Sequence, residues 1–243
     1  GAFEKGFLEY LRDFRPTCHI DAIPEGTVVF PHEPILQVEG PLIEAQLLET
    51  AVLNALNYQT LIATKAARIR LACGDDHLVE FGLRRAQGPD GGLSGSRAAY
   101  IGGTDSTSNV LAGKAFGIPV RGTHAHSWVM SFDNELDAFR AYAACYEDPI
   151  LLLDTYDTLT SGLPNAVTVF KELRAAGKTV RPSVRLDSGD LARLSKAARR
   201  MFAEAGFPDP LIVASNELDE DLIADLKRQG APINVWGVGT HLI

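Results

Sequence analysis

The chain has few cysteines and they are not grouped, which excludes two classes of protein. Cys18, Cys73 and Cys145 are odd in number and far apart among 243 residues. They fit neither a disulfide framework nor a CxxC metal site. This cysteine usage is typical of a reducing compartment, so we expect a cytoplasmic protein.

Long apolar runs and excess positive charge are also absent. No apolar run approaches the roughly 18 residues of a membrane-spanning helix. The start of the chain lacks the basic, apolar and small-residue order of a signal peptide. The formal net charge of −8 argues against binding to nucleic acid or to an anionic membrane surface. We therefore expect neither as a partner.

Six short apolar runs, each followed by polar, charged or glycine residues, dominate the chain from about residue 75. They lie at residues 77–81, 118–122, 150–154, 180–186, 211–215 and 233–238. Helical patterns separate them, and strands that alternate with helices predict a parallel sheet. Active sites in such folds lie at the carboxyl ends of the strands. The sequence therefore predicts an α/β enzyme with its site in the loops after these runs.

The remaining elements follow from periodicity and breaker residues. Residues 1–40 contain four prolines and two β-like runs, 27–30 and 35–39, which indicates a small turn-rich layer. Two helices are predicted at 42–56 and 59–72, with a break at Asn57 and Tyr58. Further helices are predicted near 105–116, 133–146, 163–176, 190–205 and 219–229. We expect Asp219 to cap the last one, and glycines to end these helices at 117, 177, 206 and 230.

The run RLDSGD (residues 185–190) carries the strongest chemical signal. Arg185 can bind a planar carboxylate through two parallel hydrogen bonds. Asp187 can accept hydrogen bonds from hydroxyl groups or hold Mg²⁺. Ser188 and Gly189 allow a sharp turn into a helix whose free N–H groups favour anions. A helix cap with an arginine partner is the plainer interpretation.

The run GTHAHSW (residues 122–128) places two histidines two residues apart. Metal ligation is one interpretation, because His-x-His occurs in metal sites. A histidine acting as nucleophile or general base is a second, because its pKa lies near neutrality. Packing and hydrogen bonding within a loop is a third. The residues alone leave these three open.

Four further clusters follow predicted strands. Asp154 and Asp157 in DTYD suit ribose hydroxyls or Mg²⁺ with diphosphate, or cap a loop. GVGT (residues 237–240) can surround a phosphate. Asp105, in GGTDSTSN, is expected at a helix start. Phe81, in FGLRR, could stack on a substrate ring or belong to the core.

Taken in order, EFGLRRAQGPDGG, GGTDSTSN, GTHAHSW, LLLDTYDT, VRLDSGDL, SNELDE and VWGVGT resemble the nicotinate phosphoribosyltransferase family. The resemblance extends over nearly the whole chain. It implies an incomplete, irregular α/β (TIM-like) barrel of the type II phosphoribosyltransferases at residues 75–243. Residues 1–74 would then be part of an N-terminal α/β sandwich domain with linking helices. It also implies synthesis of nicotinate mononucleotide and diphosphate from nicotinate and phosphoribosyl diphosphate, within NAD biosynthesis.

The resemblance further implies ATP as co-substrate, Mg²⁺ bound with diphosphate or ATP, and a homodimer. It assigns phosphorylation by ATP to His126, contact with the nicotinate carboxylate to Arg185, and no role to His124. The other implied site residues contact the pyridine, the ribose, the phosphates or Mg²⁺. They are Phe81, Arg84, Thr123, Asp105, Asp154, Asp187, Ser188, Gly237, Gly239 and Thr240.

Three alternatives remain beside this interpretation. The first is nicotinamide phosphoribosyltransferase, although the GT before AHS and the form RLDSGD favour the nicotinate enzyme. The second is a non-catalytic barrel that binds nucleotides or phosphate. The third is a metal-dependent hydrolase that uses His124, His126 and a strand-end acid.

The chain begins without methionine and stops just after GVGT, where a helix normally follows. We expect an interior piece of a longer protein, in which the flanks of the first and last barrel strands lack neighbours. Unpaired strand edges favour aggregation. We therefore expect residues 1–243 alone to be poorly soluble or inactive until the flanking segments are supplied. Comparing the turnover of this piece with that of the full-length enzyme tests the expectation.

Overall fold

The computed structural model describes all 243 residues, and the chain divides into two compact units, Gly1–Gln59 and Thr60–Ile243. The first unit contains helix α1 (Lys5–Asp13) and an antiparallel pair of strands, β1 (His19–Ala22) and β2 (Leu36–Glu39). The predicted run 35–39 is thus confirmed as a strand. The predicted run 27–30 was wrong, because its place as partner is taken by β1. All four residues of β1 are exposed, so the strand carries no apolar signature.

Helix α2 (Leu42–Cys73) is one continuous helix of 32 residues, so the predicted break at Asn57 and Tyr58 was wrong. Neither residue lacks a backbone donor, as proline does, and neither carries the large entropic cost of glycine. Their modest helix propensities are therefore not enough to end the helix. The predicted domain boundary after residue 74 lies at the end of α2.

A parallel sheet of six strands forms the centre of the second unit. Its strands are β3 (His77–Glu80), β4 (Ser106–Thr107), β5 (Ile150–Leu152), β6 (Ser183–Leu186), β7 (Leu211–Ala214) and β8 (Val235–Val238). Their order in the sheet is β4-β3-β8-β7-β6-β5. Five of the six predicted runs are confirmed as strands. The run 118–122 contributes only a bridge between Val120 and Thr107.

The neighbours of β3 and β8 differ from the expectation. These first and last strands of the alternation pair with each other, with His77 opposite Val235 and Glu80 opposite Val238. Strand β3 also pairs with β4, and β8 with β7. The expectation that their flanks lack neighbours was therefore wrong, because the two strands satisfy each other's backbone groups. The edge strands of the sheet are β4 and β5 instead.

Seven helices pack around this sheet. They are α3 (Gly88–Ile101), α4 (Val110–Phe116), α5 (His126–Met130), α6 (Glu135–Cys145), α7 (Leu163–Ala175), α8 (Leu191–Glu204) and α9 (Glu220–Arg228). The predicted helix 105–116 begins later, because β4 precedes it and the side chain of Asn109 caps it. Helices α3 and α5 were not predicted. In α3, buried small residues such as Gly92, Gly95 and Ser96 allow close packing despite poor helix propensity.

Capping side chains and glycines end the helices as the sequence predicts. Asp219 accepts a hydrogen bond from the N–H of Leu222, which confirms it as the cap of α9. The four predicted terminal glycines have φ between 69° and 85°, the left-handed region that glycine adopts at little cost.

The core lies between the sheet and the inward faces of the helices. Buried residues of α8 recur at helical spacing, with Leu191, Leu194, Ala198 and Phe202 on one face. Trp236 of β8 and Phe202 are fully buried. Burying a side chain of this size contributes about 1.5–3 kcal/mol. None of the helices combines the length and apolar character that a bilayer crossing requires.

A π-helical turn, Thr158–Gly162, leads from the loop after β5 into α7. A Cβ atom at Gly162 would overlap the backbone carbonyl of Leu153. Backbone atoms cannot move aside as a flexible side chain can. We therefore expect Gly162→Ala to lower the free energy of unfolding by about 1–3 kcal/mol. Gly122→Ala is the control, because a Cβ there meets no atom within 4 Å. Urea denaturation measures both, and equal stabilities would contradict the account.

Candidate active site

A cavity of about 340 Å³ lies at the carboxyl ends of β3, β6, β7 and β8. Parallel strands end at the same edge of a sheet, so residues distant in sequence meet there. Nine predicted site residues line this cavity. They are Phe81, Arg84, Thr123, His126, Arg185, Asp187, Gly237, Gly239 and Thr240.

Arg185, on β6, is the most constrained cation of the cavity. Its guanidinium donates from Nε to Ser215 Oγ, from one terminal nitrogen to Thr123 Oγ1, and from the other to Asp187 Oδ1, each at 2.8 Å. A guanidinium carries five N–H donors. Three are used within the protein, which leaves two for a ligand. A planar carboxylate is the ligand that such donors match.

The ring of Phe81 lies beside this guanidinium, with its centroid 5.5 Å from Arg185 Cζ. Gly237 makes room for the ring, because an added Cβ would come within 2.5 Å of two ring carbons. The cavity thus combines an aromatic surface with a fixed cation. A flat, anionic, aromatic molecule fits both features.

Asp154 connects two loops behind the cavity. Its side chain is 2% exposed, and its Oδ1 lies 3.2 Å from His126 Nε2. Its other oxygen accepts hydrogen bonds from the N–H of Asp187 and from Ser188 Oγ, both at 2.7 Å. Asp154 and Ser188 do not line the cavity themselves. Asp154 contacts two residues that do, His126 and Asp187, and Ser188 contacts Asp154.

His124 points away from the cavity and into the protein. Its residue is 7% exposed, and its Nε2 accepts a hydrogen bond from the N–H of Leu152 on the free edge of β5. The imidazole therefore takes the place that a neighbouring strand's carbonyl would have. Burial lowers the pKa of His124 to about 4, and the nearby charges of Arg185 and His126 act in the same direction.

This geometry distinguishes the interpretations of the two histidines. The accepting nitrogen of His124 is occupied by a backbone donor, which leaves it a structural role. No group of three or more His, Cys, Asp or Glu side chains is arranged to hold a metal ion. The donor set therefore does not support the zinc-type site of the hydrolase alternative. His126 remains half-exposed in the cavity.

Asp105 is not brought to the cavity. It lies at the amino-terminal side of β4, where its carboxylate accepts from the N–H of Leu78 at 2.7 Å and pairs with Arg70. The expectation that Asp105 begins a helix was wrong, because β4 follows it and Asn109 is the cap. The role that the resemblance assigned to Asp105 gains no support from this position.

Several lining residues received no chemical assignment from the sequence. They are Arg85, Ser108, Gly122, Ala125, Ser215, Asn216 and Glu217. Two of them, Asn216 and Glu217, have left-handed backbone conformations, with φ of 84° and 38°. Glu217 accepts a hydrogen bond from Thr240 Oγ1 at 3.2 Å. The sequence signal for Ser215, Asn216 and Glu217 was the polar run SNE after β7. It marks the end of a strand but does not indicate which contacts these residues form.

A parallel sheet with cations, carboxylates and an aromatic ring at its strand ends is an arrangement typical of α/β enzymes. Comparison with known proteins identifies the family. The model described as nicotinate phosphoribosyltransferase (NAPRTase) family matches residues 77–243, and the model of its N-terminal domain matches residues 1–57. The chain belongs to the nicotinate phosphoribosyltransferase family, as the sequence motifs predict.

Individual relatives agree with this assignment. The chain is 57% identical over 222 residues to nicotinate phosphoribosyltransferase of Bacillus subtilis (strain 168), which covers 91% of this chain and 45% of the relative. The crystal structure of human nicotinic acid phosphoribosyltransferase superposes with a TM-score of 0.90 at 38% identity, covering 98% of this chain and 58% of that one. Nicotinate-nucleotide pyrophosphorylase from Pyrococcus furiosus gives 0.81 at 30% identity, covering 93% and 57%.

The chain spans about half the length of the relatives it matches. Its parallel sheet and its structural neighbours confirm the predicted fold, a partial α/β barrel of the type II phosphoribosyltransferases.

His124 gives the folded state a defined pH dependence. Its pKa in the folded protein is about 4, below the ordinary 6.5, so the unfolded chain takes up a proton between these values that the folded chain does not. The stabilising contribution is therefore complete above pH 6.5 and is lost as the pH falls toward 4. A shift of this size corresponds to about 3 kcal/mol.

We expect His124→Gln to be less stable than the parent at pH 7. We expect this gap in the free energy of unfolding to narrow as the pH falls to 4.5. Chemical denaturation at several pH values measures this gap. Thr64→Gln is the control, because Thr64 is exposed and carries no titrating group, so its difference in stability from the parent should stay constant. A gap for His124→Gln that does not change with pH would contradict the account.

Proposed function

We propose that this chain carries the active site of a nicotinate phosphoribosyltransferase, which forms nicotinate mononucleotide and diphosphate from nicotinate and phosphoribosyl diphosphate with ATP hydrolysis. The observation that carries the proposal is Arg185, whose guanidinium is held by three hydrogen bonds and keeps two donors beside the Phe81 ring. Nicotinate is a flat ring with one carboxylate. It would pack against Phe81 and accept two hydrogen bonds from Arg185.

The transfer step forms a bond between the pyridine nitrogen and the anomeric carbon of the ribose, while diphosphate leaves with the bonding electron pair. The transition state carries positive charge on the sugar. Asp187 is the lining carboxylate that can stabilise this charge, because Arg185 and Ser215 bind its Oδ1 and leave its Oδ2 without a protein partner. The protein supplies orientation and charge, and no attack by a side chain on carbon is needed.

The phosphates would lie toward Arg84, Arg85, Gly239 and Thr240, which line the same cavity. Neither arginine side chain forms an ion pair within the protein. Their two positive charges offset the net charge of −8 locally. An acidic chain can contain an anion site, because the electrostatic potential in a cleft depends on the charges that line it.

Mg²⁺ fits this site as an ion that arrives with the diphosphate. Such ions are usually held by one or two carboxylates together with substrate phosphates and water. Asp187 can supply one oxygen, which agrees with the absence of a larger carboxylate group. When bound, Mg²⁺ would screen the negative charge of the leaving group.

His126 is the proposed acceptor of the ATP γ-phosphoryl group. If Nε2–H donates to Asp154 Oδ1, then Nδ1 carries the lone pair and is the nucleophile. The bond to the nearly buried Asp154 orients the ring and stabilises the cation that forms on attack. Phosphorylation would couple ATP hydrolysis to the affinity for phosphoribosyl diphosphate.

Nicotinamide is the competing substrate within the same chemistry, because its amide oxygen can also accept from Arg185. The guanidinium favours the acid, since a carboxylate carries the opposite charge and accepts two parallel hydrogen bonds, whereas the amide is neutral and has one accepting oxygen. Competition between the acid and the amide separates the two. A non-catalytic phosphate-binding barrel is disfavoured by the complete set of His126, Asp187 and Arg185.

We also propose a cytoplasmic location and a homodimer. All three cysteines are free thiols, as expected in a reducing compartment. Large apolar side chains such as Leu71, Val110 and Leu111 are more than 60% exposed, which suits burial against a second copy. Light scattering of the purified protein measures the oligomeric state.

The direct test of the function is mass-spectrometric detection of nicotinate mononucleotide. The full-length protein is supplied with nicotinate, phosphoribosyl diphosphate and Mg²⁺, with and without ATP. Product formation that ATP stimulates supports the proposal. No product with nicotinate, together with product from nicotinamide, would transfer the assignment to the amide enzyme.

We expect His126→Ala to abolish ATP hydrolysis and the stimulation by ATP. Some ATP-independent transfer should remain, because Arg185, Phe81 and Asp187 are unchanged. The measurement is acid-labile phosphate on the protein, with rates in the presence and absence of ATP. His241→Ala is the matched control, and ATP should still phosphorylate this variant because His126 is unchanged. Acid-labile phosphate that persists on His126→Ala would refute the assignment.

We expect Arg185→Ala to raise the KM for nicotinate by roughly ten- to a hundred-fold, because hydrogen bonds to charged groups contribute about 1.5–3 kcal/mol. The preference for nicotinate over nicotinamide should narrow. Arg185→Lys should recover only part, because an ammonium lacks the fork geometry. Arg181→Ala, which removes an exposed arginine paired with Asp209, is the control. An unchanged acid-to-amide ratio would place the carboxylate elsewhere.

A further inference from the structure

We propose that Glu80 is a positioning residue whose buried carboxylate holds two loops of the cavity in their binding geometry. Glu80 ends strand β3 and is 0% exposed. Its Oε1 accepts a hydrogen bond from the N–H of Gly82. Its Oε2 accepts from Ser96 Oγ at 2.9 Å and from Thr107 Oγ1 at 2.5 Å. No cation pairs with it, so these three donors replace its hydration.

The directions of these hydrogen bonds are set by Asn109. Its Oδ1 accepts from the N–H of Ala112 at the start of α4, so its Nδ2 must donate, and it does so to Ser96 Oγ at 3.2 Å. Its backbone N–H donates to Thr107 Oγ1 at 2.9 Å. Both hydroxyl oxygens therefore act as acceptors toward Asn109. The proton of Thr107 is then available to Glu80, whereas the proton of Ser96 is shared between Glu80 and the carbonyl of Gly92, each at 2.9 Å. Toward Gly82 and Thr107 the network requires a group at residue 80 that only accepts.

The network meets the cavity on two sides. The bond from Gly82 fixes the turn between Phe81 and Arg84. The backbone carbonyl of Glu80 accepts from the N–H of Ser108 at 2.9 Å, while its side chain holds the neighbouring Thr107. Phe81, Arg84 and Ser108 all line the cavity. Glu80 itself does not line it, so it acts through these residues.

Glu80→Gln tests the network with almost no change of shape. One carboxylate oxygen becomes an NH₂ group, which must face either the N–H of Gly82 or the two hydroxyl donors. One arrangement places the NH₂ group against the N–H of Gly82 and the other places it against the hydroxyl of Thr107, so the turn or that hydroxyl must move. Thr107→Val is the second variant, because it removes the hydroxyl that donates to Glu80 and accepts from the N–H of Asn109 while the size of the side chain changes little.

Glu135→Gln is the matched control. Glu135 is 4% exposed and accepts hydrogen bonds from Ser161 and Asn165, but it does not line the cavity. Hydrogen exchange read by mass spectrometry reports the two loops without reference to activity. Steady-state kinetics, which rest on the proposed function, report how the two loops affect the KM for nicotinate.

We expect Glu80→Gln to accelerate amide exchange in residues 82–86 and 106–109 by about tenfold, while other segments keep their rates. The KM for nicotinate should rise by about tenfold with kcat within about threefold, because the affected contacts act in the ground and transition states alike. Thr107→Val should show the same pattern, more weakly. Glu135→Gln should leave both segments and the KM unchanged.

Faster exchange spread over the whole chain, or an unchanged KM at equal stability, would overturn the proposal and leave Glu80 a residue of general stability. If the parent protein forms no product from nicotinate, the proposed function fails, and the exchange pattern alone decides the role of Glu80.

Discussion

The guanidinium of Arg185 is the interaction on which the site depends. It projects from strand β6 and bonds to groups in three separate segments: Thr123, Asp187 and Ser215. A partly buried cation must be paired, because an unpaired charge in that position is costly. The same pairing that satisfies the charge therefore fixes the loops around it. An acidic protein obtains a cationic site in this way without a basic surface.

The sequence predicts much of the sheet and of the site, because both follow from periodicity. Residues after parallel strands meet in space, so the marked strand ends contain the nine lining residues, among which the family resemblance singled out Arg84 and Thr123. The incorrect predictions have physical causes. Strand β4 is two residues long and gives no alternation, so Asp105 was placed at the wrong end of it. Helix α3 depends on small buried residues, and Glu80 lies inside an apolar run, where tertiary contacts decide the outcome.

Two carboxylates near the site, Asp154 and Asp187, have different environments and different roles. Asp154 is nearly covered and is engaged by His126, Ser188 and the backbone of Asp187. Asp187 keeps one oxygen without a protein partner. A change of charge at His126 thus reaches the Arg185–Asp187 pair through a single bonded side chain. Under the proposed function, this contiguous path is the physical means by which ATP use could alter the phosphoribosyl site.

The pairing of β3 with β8 also bears on the order in which the molecule is made. Strand β3 precedes the other five strands of this sheet in the sequence, and its partner Val235–Val238 follows all of them. Closing so long a stretch of chain carries an entropic cost, and folds that rely on such distant pairings form slowly. Until β8 emerges from the ribosome, one edge of β3 stays open. The nascent chain is thus exposed to incorrect strand pairing from the synthesis of β3 until that of β8, a period in which chaperones act.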